Sequence, residues 1–251
     1  MVKVMSFNIR CCDDPDGNSI AERSERLKKI TLPISPDIIG LQEMRPKWEP
    51  YILDIYGDEY DMVNIYRAKN ELESTPILWK KAKYECVEVN RFWFSDTPDV
   101  ESKGWDEKYD CYRMCVHLKL RDRENGNVIN FINTHFGFGD NCQVSSVNLI
   151  KEFCNKIQNE PICIVGDFNM EPDSKGYSEM IRTFTDVNAV TSKDWKNTYH
   201  GYDLNNPNGK LIDYCFVNNQ ILPNAREVID DTLEGKFPSD HFGLIMLLSI
   251  K

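Results

Sequence analysis

Short apolar runs that stop abruptly at polar residues recur from end to end of the chain. Residues 2–9 form the first, dense enough in apolar side chains for a buried strand. Residues 20–34 carry charge on one face and run into Pro33 and Pro36, which predicts a helix ended by proline. A second apolar strand is expected at 37–42, then a helix over 48–55 that stops near Gly57. Strands are expected at 60–66, 75–80, 84–94, 114–120 and 128–134. Residues 95–110 hold Pro98, Gly104 and many charges, so they read as an exposed loop. Glu124-Asn125-Gly126-Asn127 is a hairpin-turn signal between two strand candidates. Val144, Val147, Ile150, Cys154 and Ile157 follow helical spacing and predict a helix over 143–159. Residues 161–166 read as a strand covered on both faces, and 175–183 as a helix. Strands at 211–217, 226–229 and 243–250 complete the set. This irregular alternation predicts an α+β sandwich, two packed sheets with helices outside. No repeat or linker-like shift interrupts it, so one domain over 1–251 is expected.

Six of the polar stops carry chemistry: Ser6-Phe7-Asn8, Leu41-Gln42-Glu43, Asn133-Thr134-His135, Gly166-Asp167-Phe168-Asn169, Ile212-Asp213-Tyr214 and Ser239-Asp240-His241. Asp167 and Asn169 lie two apart, so an extended chain turns both toward one pocket; a simple turn after a strand favours the same residues. Glu43 ends the apolar run 38–41, where a carboxylate is costly unless liganded, solvated or paired with Arg45. Asn8 offers its carboxamide either to a ligand or to nearby backbone. Asn, Glu and Asp around one point make a hard-oxygen site suited to Mg²⁺, with Mn²⁺ as a substitute. His135 and His241 are the acid/base candidates, and Asp213 could orient His241. His117 reads as a packed sheet residue, and His200 as either a loop residue or a pocket liner. Trp93 reads as core. Trp105, beside Lys103 and Asp106, is either a loop residue or a stacking surface for a base, sugar or headgroup. There is no Gly-x-Ser-x-Gly elbow and no Gly-Lys-Ser/Thr phosphate loop.

Composition narrows the class. With 41% apolar and 28% charged residues the chain has the make-up of a folded globular protein. A net charge of −10 argues against stable binding of duplex DNA, yet a divalent cation can reverse the sign of an acidic pocket. Nine cysteines without a CxxC pair suggest free thiols in a reducing compartment, hence a cytoplasmic protein. No run approaches the ~18 apolar residues of a membrane span, and the N-terminus turns polar too soon for a signal peptide. No membrane association is expected, and a monomer is.

In order and content, the six motifs resemble the endonuclease/exonuclease/phosphatase superfamily, the DNase I-like proteins, from Asn8 to His241. Arg91-Phe92-Trp93-Phe94-Ser95-Asp96-Thr97-Pro98 and Lys103-Gly104-Trp105-Asp106 are similar to a bacterial branch resembling deadenylase-type catalytic domains. The resemblance implies a four-layer α/β/β/α sandwich and a Mg²⁺-dependent hydrolase of phosphoesters. It also implies that Glu43 is the main metal ligand, helped by Asn8 and Asp240. Asp167 would orient or deprotonate the attacking water, and Asn169 would hold the phosphate. His241, paired with Asp213, would stabilise the transition state; His135 would stand near the leaving oxygen; Arg113 would neutralise phosphate. Gln143 stands where relatives often carry an arginine, and it cannot offer a bidentate cationic fork. The expected activity is a phosphodiesterase on a small or single-stranded nucleic-acid substrate. The alternatives are a monoesterase of inositol or sugar phosphates, or an inactive relative that binds a partner through the pocket.

Overall fold

The computed structural model describes residues 1–191 and 196–251. Its elements in chain order are β1 (Val2–Asn8), α1 (Ile20–Thr31), β2 (Ile38–Gln42), α2 (Glu49–Tyr56), β3 (Tyr60–Val63), β4 (Tyr66–Ala68) and β5 (Glu71–Ser74). Next come β6 (Ile77–Lys80), β7 (Tyr84–Trp93), β8 (Met114–Asp122), β9 (Val128–His135), α3 (Asp140–Asn155), β10 (Ile162–Asp167) and α4 (Lys175–Met180). β11 (Thr185–Asp186), α5 (Val187–Thr191), β12 (Asp213–Val217), β13 (Ile221–Ile229) and β14 (Gly243–Ile250) finish it. One six-stranded sheet runs β13-β14-β1-β2-β6-β3, the other β11-β12-β10-β9-β8-β7, and β4-β5 is a separate hairpin. Both sheets are mixed: β1 lies parallel to β2 but antiparallel to β14, and β10 parallel to β9 but antiparallel to β12.

Strand side chains alternate between faces, and that alternation sorts the core into three layers. Val2, Val4, Ile38, Leu244 and Met246 of the first sheet meet Val116, Leu118, Phe131, Val165 and Cys215 of the second in one inter-sheet core. The odd positions of β1, Met5 and Phe7, turn outward onto α1 and α2 through Leu27, Ile52 and Tyr56. Ile132, Ile164 and Phe216 turn outward onto Val147 and Ile150 of α3 and Tyr177 of α4. The result is the helix/sheet/sheet/helix order that the resemblance implied. α1 begins at a capping box, with Ser19 accepting from the Glu22 amide and Glu22 from that of Ser19.

Three expectations are corrected. The strand expected at 60–66 breaks after Val63, and the chain folds back as the β4-β5 hairpin, whose second strand the apolar pattern did not show. The strand expected at 226–229 begins at Ile221; it is an edge strand, so Pro223 is tolerated at a bulge in its pairing. The segment 95–110 is not simply exposed. A side chain on Gly104 would strike the Phe94 carbonyl at 1.5 Å, so the chain passes directly under β7's end. Asp106 then accepts hydrogen bonds from the amides of Lys108, Tyr109 and Phe138 and from Arg113 Nε.

At Gly40 the two sheets approach closely: a Cβ there would lie 2.7 Å from Val165 Cγ2 and 2.9 Å from Asn133 Cγ. Gly40→Ala should lower unfolding free energy by about 1–3 kcal/mol, as overpacked cores do, read as a lower denaturant midpoint at unchanged slope.

Candidate active site

Toward one end of the inter-sheet core the same inward-facing positions turn polar. β1 continues its inner face from Val4 to Ser6 and Asn8, β9 from Phe131 to Asn133 and His135, and β10 from Val165 to Asp167. Gln42 Nε2 links the sheets by donating to Ser6 Oγ at 3.2 Å and Asn133 Oδ1 at 2.7 Å. One step further out, the buried Asn8 Nδ2 donates to Glu43 Oε1 at 3.1 Å and Asp167 Oδ2 at 2.9 Å. Glu43, His135, Asp167, Asn169, Asp240 and His241 all line a cleft of about 820 Å³.

Glu43 sits just past β2 in left-handed backbone (φ 62°), a conformation that non-glycine residues adopt mainly where the surroundings enforce it. Its Oε2 accepts from the Cys11 amide at 2.9 Å. Burial would raise its pKa, but the Cys11 amide, the charge on His241 and the Asn8 carboxamide hold it below the ordinary carboxylate range. Asp167 goes the other way. Burial, and then the negative charge of Asp213, push it up to about 7, against the pull of His241. His241 Nδ1 lies 2.9 Å from Asp213 Oδ2. Burial opposes its charge, yet Asp213, and to a lesser degree Asp167 and Asp240, lift it to about 10, so it is an imidazolium at neutral pH. Asp213 is itself placed by Thr198 Oγ1, which accepts its amide at 3.1 Å.

His135 is driven well below the ordinary histidine range by burial and by the Arg113 cation, so it is neutral. Its Nε2 is 3.6 Å from Asp167 Oδ2 and its Nδ1 3.7 Å from Glu73 Oε1. Asn169, also left-handed (φ 48°), donates its amide to Asp167 Oδ1 and its Nδ2 to the Phe136 carbonyl. Gln143 acts from beneath: its Nε2 donates to the Asn169 carbonyl at 2.6 Å, a tether in place of a cationic fork. Arg113 reaches the cleft wall, nearly buried and held by Asp106 at 3.0 Å.

Not every expected residue arrives where expected. Trp105 lies outside the cleft lining, half-buried against the helix-side core with its Nε1 donating to Asp96. Asn8 meets Glu43 at 3.1 Å, and Glu43 and Asp240 line the same cleft. The close groups are Glu43 with His135 and Asp167, and Asp167 with Asp213 and His241, each with ligand atoms within 4.8 Å. Asn8 Oδ1 accepts the Arg10 amide, which leaves its NH₂ toward the carboxylates. Arg45 pairs with Glu73, not Glu43. His117 is a sheet residue bonded to Asn130, and His200 is packed between Phe237 and Phe242, behind Asp240. Sequence reasoning missed Glu73 and Arg67, an ion pair at 2.6 Å on the β4-β5 hairpin. It also missed Arg10, whose Nε stands 3.0 Å from Asp14 and 3.8 Å from Asp240. Only the hairpin's polar alternation, Glu71 and Glu73 around Leu72, could have pointed to it.

The donor set fits a hard divalent cation. Each Glu43 oxygen accepts one of the hydrogen bonds above, where a carboxylate offers about four lone-pair sites. Asp240 is raised by burial and by Glu43, eased by His241, which is the crowding of negative charge that a cation relieves.

A model of the Endonuclease/Exonuclease/phosphatase family matches residues 5–241. The chain belongs to that family. Among solved structures it is similar to the mannosyl-6-phosphatase of Bacteroides thetaiotaomicron, at 25% identity and TM-score 0.88 over 100% of both chains. Among curated proteins it resembles human tyrosyl-DNA phosphodiesterase 2, 23% identical over 100% of this chain and 68% of that one. The uncharacterized protein L388 of Acanthamoeba polyphaga mimivirus is 25% identical over 145 residues, 55% of this chain and 54% of its own length. The family member described here is a phosphoric ester hydrolase. No helix among the described residues is long and apolar enough to cross a membrane.

Removing the Asp213 carboxylate tests the electrostatics. In Asp213→Asn the imidazolium at His241 loses its main support, so kcat/KM should fall as pH rises through the neutral range. The native enzyme should keep its activity until pH nears the His241 value of about 10. At alkaline pH the loss should be about 10²–10³-fold, the scale of one oxyanion contact.

Proposed function

We propose that this chain hydrolyses phosphate monoesters of small, hydroxyl-rich molecules such as sugar phosphates, with Mg²⁺ (or Mn²⁺) held by Glu43 and Asp240. The observation that carries this reading is the balance of the cleft. Arg10, Arg45, Arg67, Lys108, Arg113 and Lys210 line it together with Glu43, Glu71, Glu73, Asp110, Asp167 and Asp240. Six cations suit one phosphate, and interleaved carboxylates suit hydroxyl donors; a polyphosphate strand would meet as many acids as bases. The mannosyl-6-phosphatase likeness supports the same reading.

The residue roles follow from charge and position. Asp167, raised toward neutrality, accepts the proton of an attacking water and is oriented by Asn8 and the Asn169 amide. The His241 imidazolium, backed by Asp213, donates to a phosphate oxygen and offsets the charge that builds there. Neutral His135, facing Asp167, stands ready to donate or accept a hydrogen bond at the leaving oxygen. A bound Mg²⁺ would polarise the phosphoryl group and acidify water. The nine cysteines, all free, support a cytoplasmic setting.

A second reading, a phosphodiesterase on short single strands, draws on the cleft mouth. There Tyr109 and Phe138 pack edge to face at 5.4 Å, with Lys108 Nζ 5.0 Å and 4.5 Å from their ring centres. Such rings can stack a base. The tyrosyl-DNA phosphodiesterase relative points the same way.

A substrate panel separates the two: hexose 6-phosphates, inositol monophosphate, short single-stranded DNA and bis-p-nitrophenyl phosphate, each with Mg²⁺. Hexose phosphates should be turned over fastest, EDTA should stop the reaction, and Glu43→Gln should lower kcat by at least ~10². Preference for the oligonucleotide would replace the first reading with the second.

A further inference from the structure

Asp106 stands outside the cleft lining, its side chain 1% exposed, in the loop that joins β7 to β8. Its two oxygens accept hydrogen bonds from five residues. Oδ1 takes the amides of Lys108 and Tyr109 at 3.0 Å and of Phe138 at 3.3 Å. Oδ2 takes Arg113 Nε at 3.0 Å and the Cys111 thiol at 3.5 Å. All five donor residues line the cleft. The chain after β9 makes room for this carboxylate: a Cβ on Gly137 would lie 2.8 Å from Asp106 Cβ and Cγ. Burial would raise the Asp106 pKa, but the Lys108 and Tyr109 amides and the Arg113 cation hold it below the ordinary carboxylate range. The group is therefore an anion at neutral pH.

We infer that Asp106 is the positioning residue of the substrate grip, aiming the Arg113 guanidinium at the phosphate and holding Lys108, Tyr109 and Phe138 as a rim around the rest of the molecule. This rests on the reading of the cleft under Proposed function, in which Arg113 is one of the cations that meet the phosphate.

The two oxygens do separate jobs. At Oδ1, the amides two and three residues further on close a turn upon the Asp106 side chain, and Phe138 ties that turn to the chain beyond β9. At Oδ2, the ion pair is made through Nε. A guanidinium anchored there keeps its plane fixed and leaves its two terminal NH₂ groups as a fork for phosphate oxygens. An arginine whose rotamer is already set loses less freedom when phosphate arrives. Such a gain is shared by the bound substrate and the transition state, so it lowers KM and leaves kcat unchanged. Asp106→Asn separates the two jobs. The carbonyl oxygen of asparagine still accepts the three amides, while its NH₂ group turns hydrogens toward the guanidinium in place of Oδ2.

The test compares the native protein with Asp106→Asn, Arg113→Ala and the double variant. It reads hexose 6-phosphate turnover and, by calorimetry with Mg²⁺ present, the Kd of inorganic phosphate. In Asp106→Asn, KM and the Kd of inorganic phosphate should each rise about tenfold or more, the scale of one hydrogen bond to a charged group, with kcat within about threefold of native. In the Arg113→Ala background the same substitution should add no further loss, because the two residues act as a unit.

A role confined to supporting the fold would lower kcat with the active fraction, leave KM and the phosphate Kd unchanged, and add to the Arg113→Ala loss; that pattern overturns the inference. If Asp106→Asn does not fold, Arg113→Lys decides. It keeps the charge and loses the anchored fork, so the Kd of inorganic phosphate should rise about tenfold, and native affinity overturns the inference. A native protein that turns over bis-p-nitrophenyl phosphate but no hexose 6-phosphate overturns the phosphatase reading instead; the phosphate titrations still decide the role of Asp106.

Discussion

One carboxamide holds the catalytic end of this protein together. Asn8 leaves the first sheet with both hydrogens of its amide committed, one to Glu43 beyond β2 and one to Asp167 at the end of β10. Those carboxylates belong to opposite sheets, and with no donor between them they would repel across a buried gap. A neutral donor suits this place better than a cation would. A lysine or arginine would satisfy the carboxylates and also suppress the raised pKa of Asp167. The site thus keeps two acids in one small volume at different protonation tendencies, Glu43 low and Asp167 high, by giving each a different set of neighbours.

The two histidines show the same division of labour. They flank Asp167 at 3.6 Å and 3.8 Å, yet one is neutral and the other charged. His241 has a carboxylate at hydrogen-bond distance; His135 faces arginines, and Glu73, its nearest acid besides Asp167, is occupied by Arg67 and Arg45. Charge at each ring is set by the partner behind it, so a substrate phosphate enters a cleft that is already polarised from His241 toward His135.

Much of this was legible in the sequence. Each apolar run ended in a polar residue with inward parity: Val4 to Asn8, Phe131 to His135, Val165 to Asp167. A period of two therefore carries the core directly into the active site, and both the layers and most of the cleft could be read from it. What stayed hidden depends on long-range packing. Glu73 and Arg67 lie on a hairpin with little apolar content, and Arg10 and Cys11 on a loop shaped by a buried arginine. The six cations of the cleft come from five separate segments, so no run of basic residues announces them. Trp105 was misread because an indole beside charges looks exposed, whereas Gly104 lets that segment sink against Phe94.

The borders of the two sheets have a bearing on how this chain behaves in a crowded solution. β3 offers four residues and β11 two, too few to template a partner strand. β13 carries Pro223 and an irregular register, and β7 is kinked between Cys86 and Glu88 and studded with charge. Among the described residues, every outer ladder is short, broken or ionic. The dozen strands of the sandwich thus end in borders that offer another strand no long, regular apolar ladder to extend.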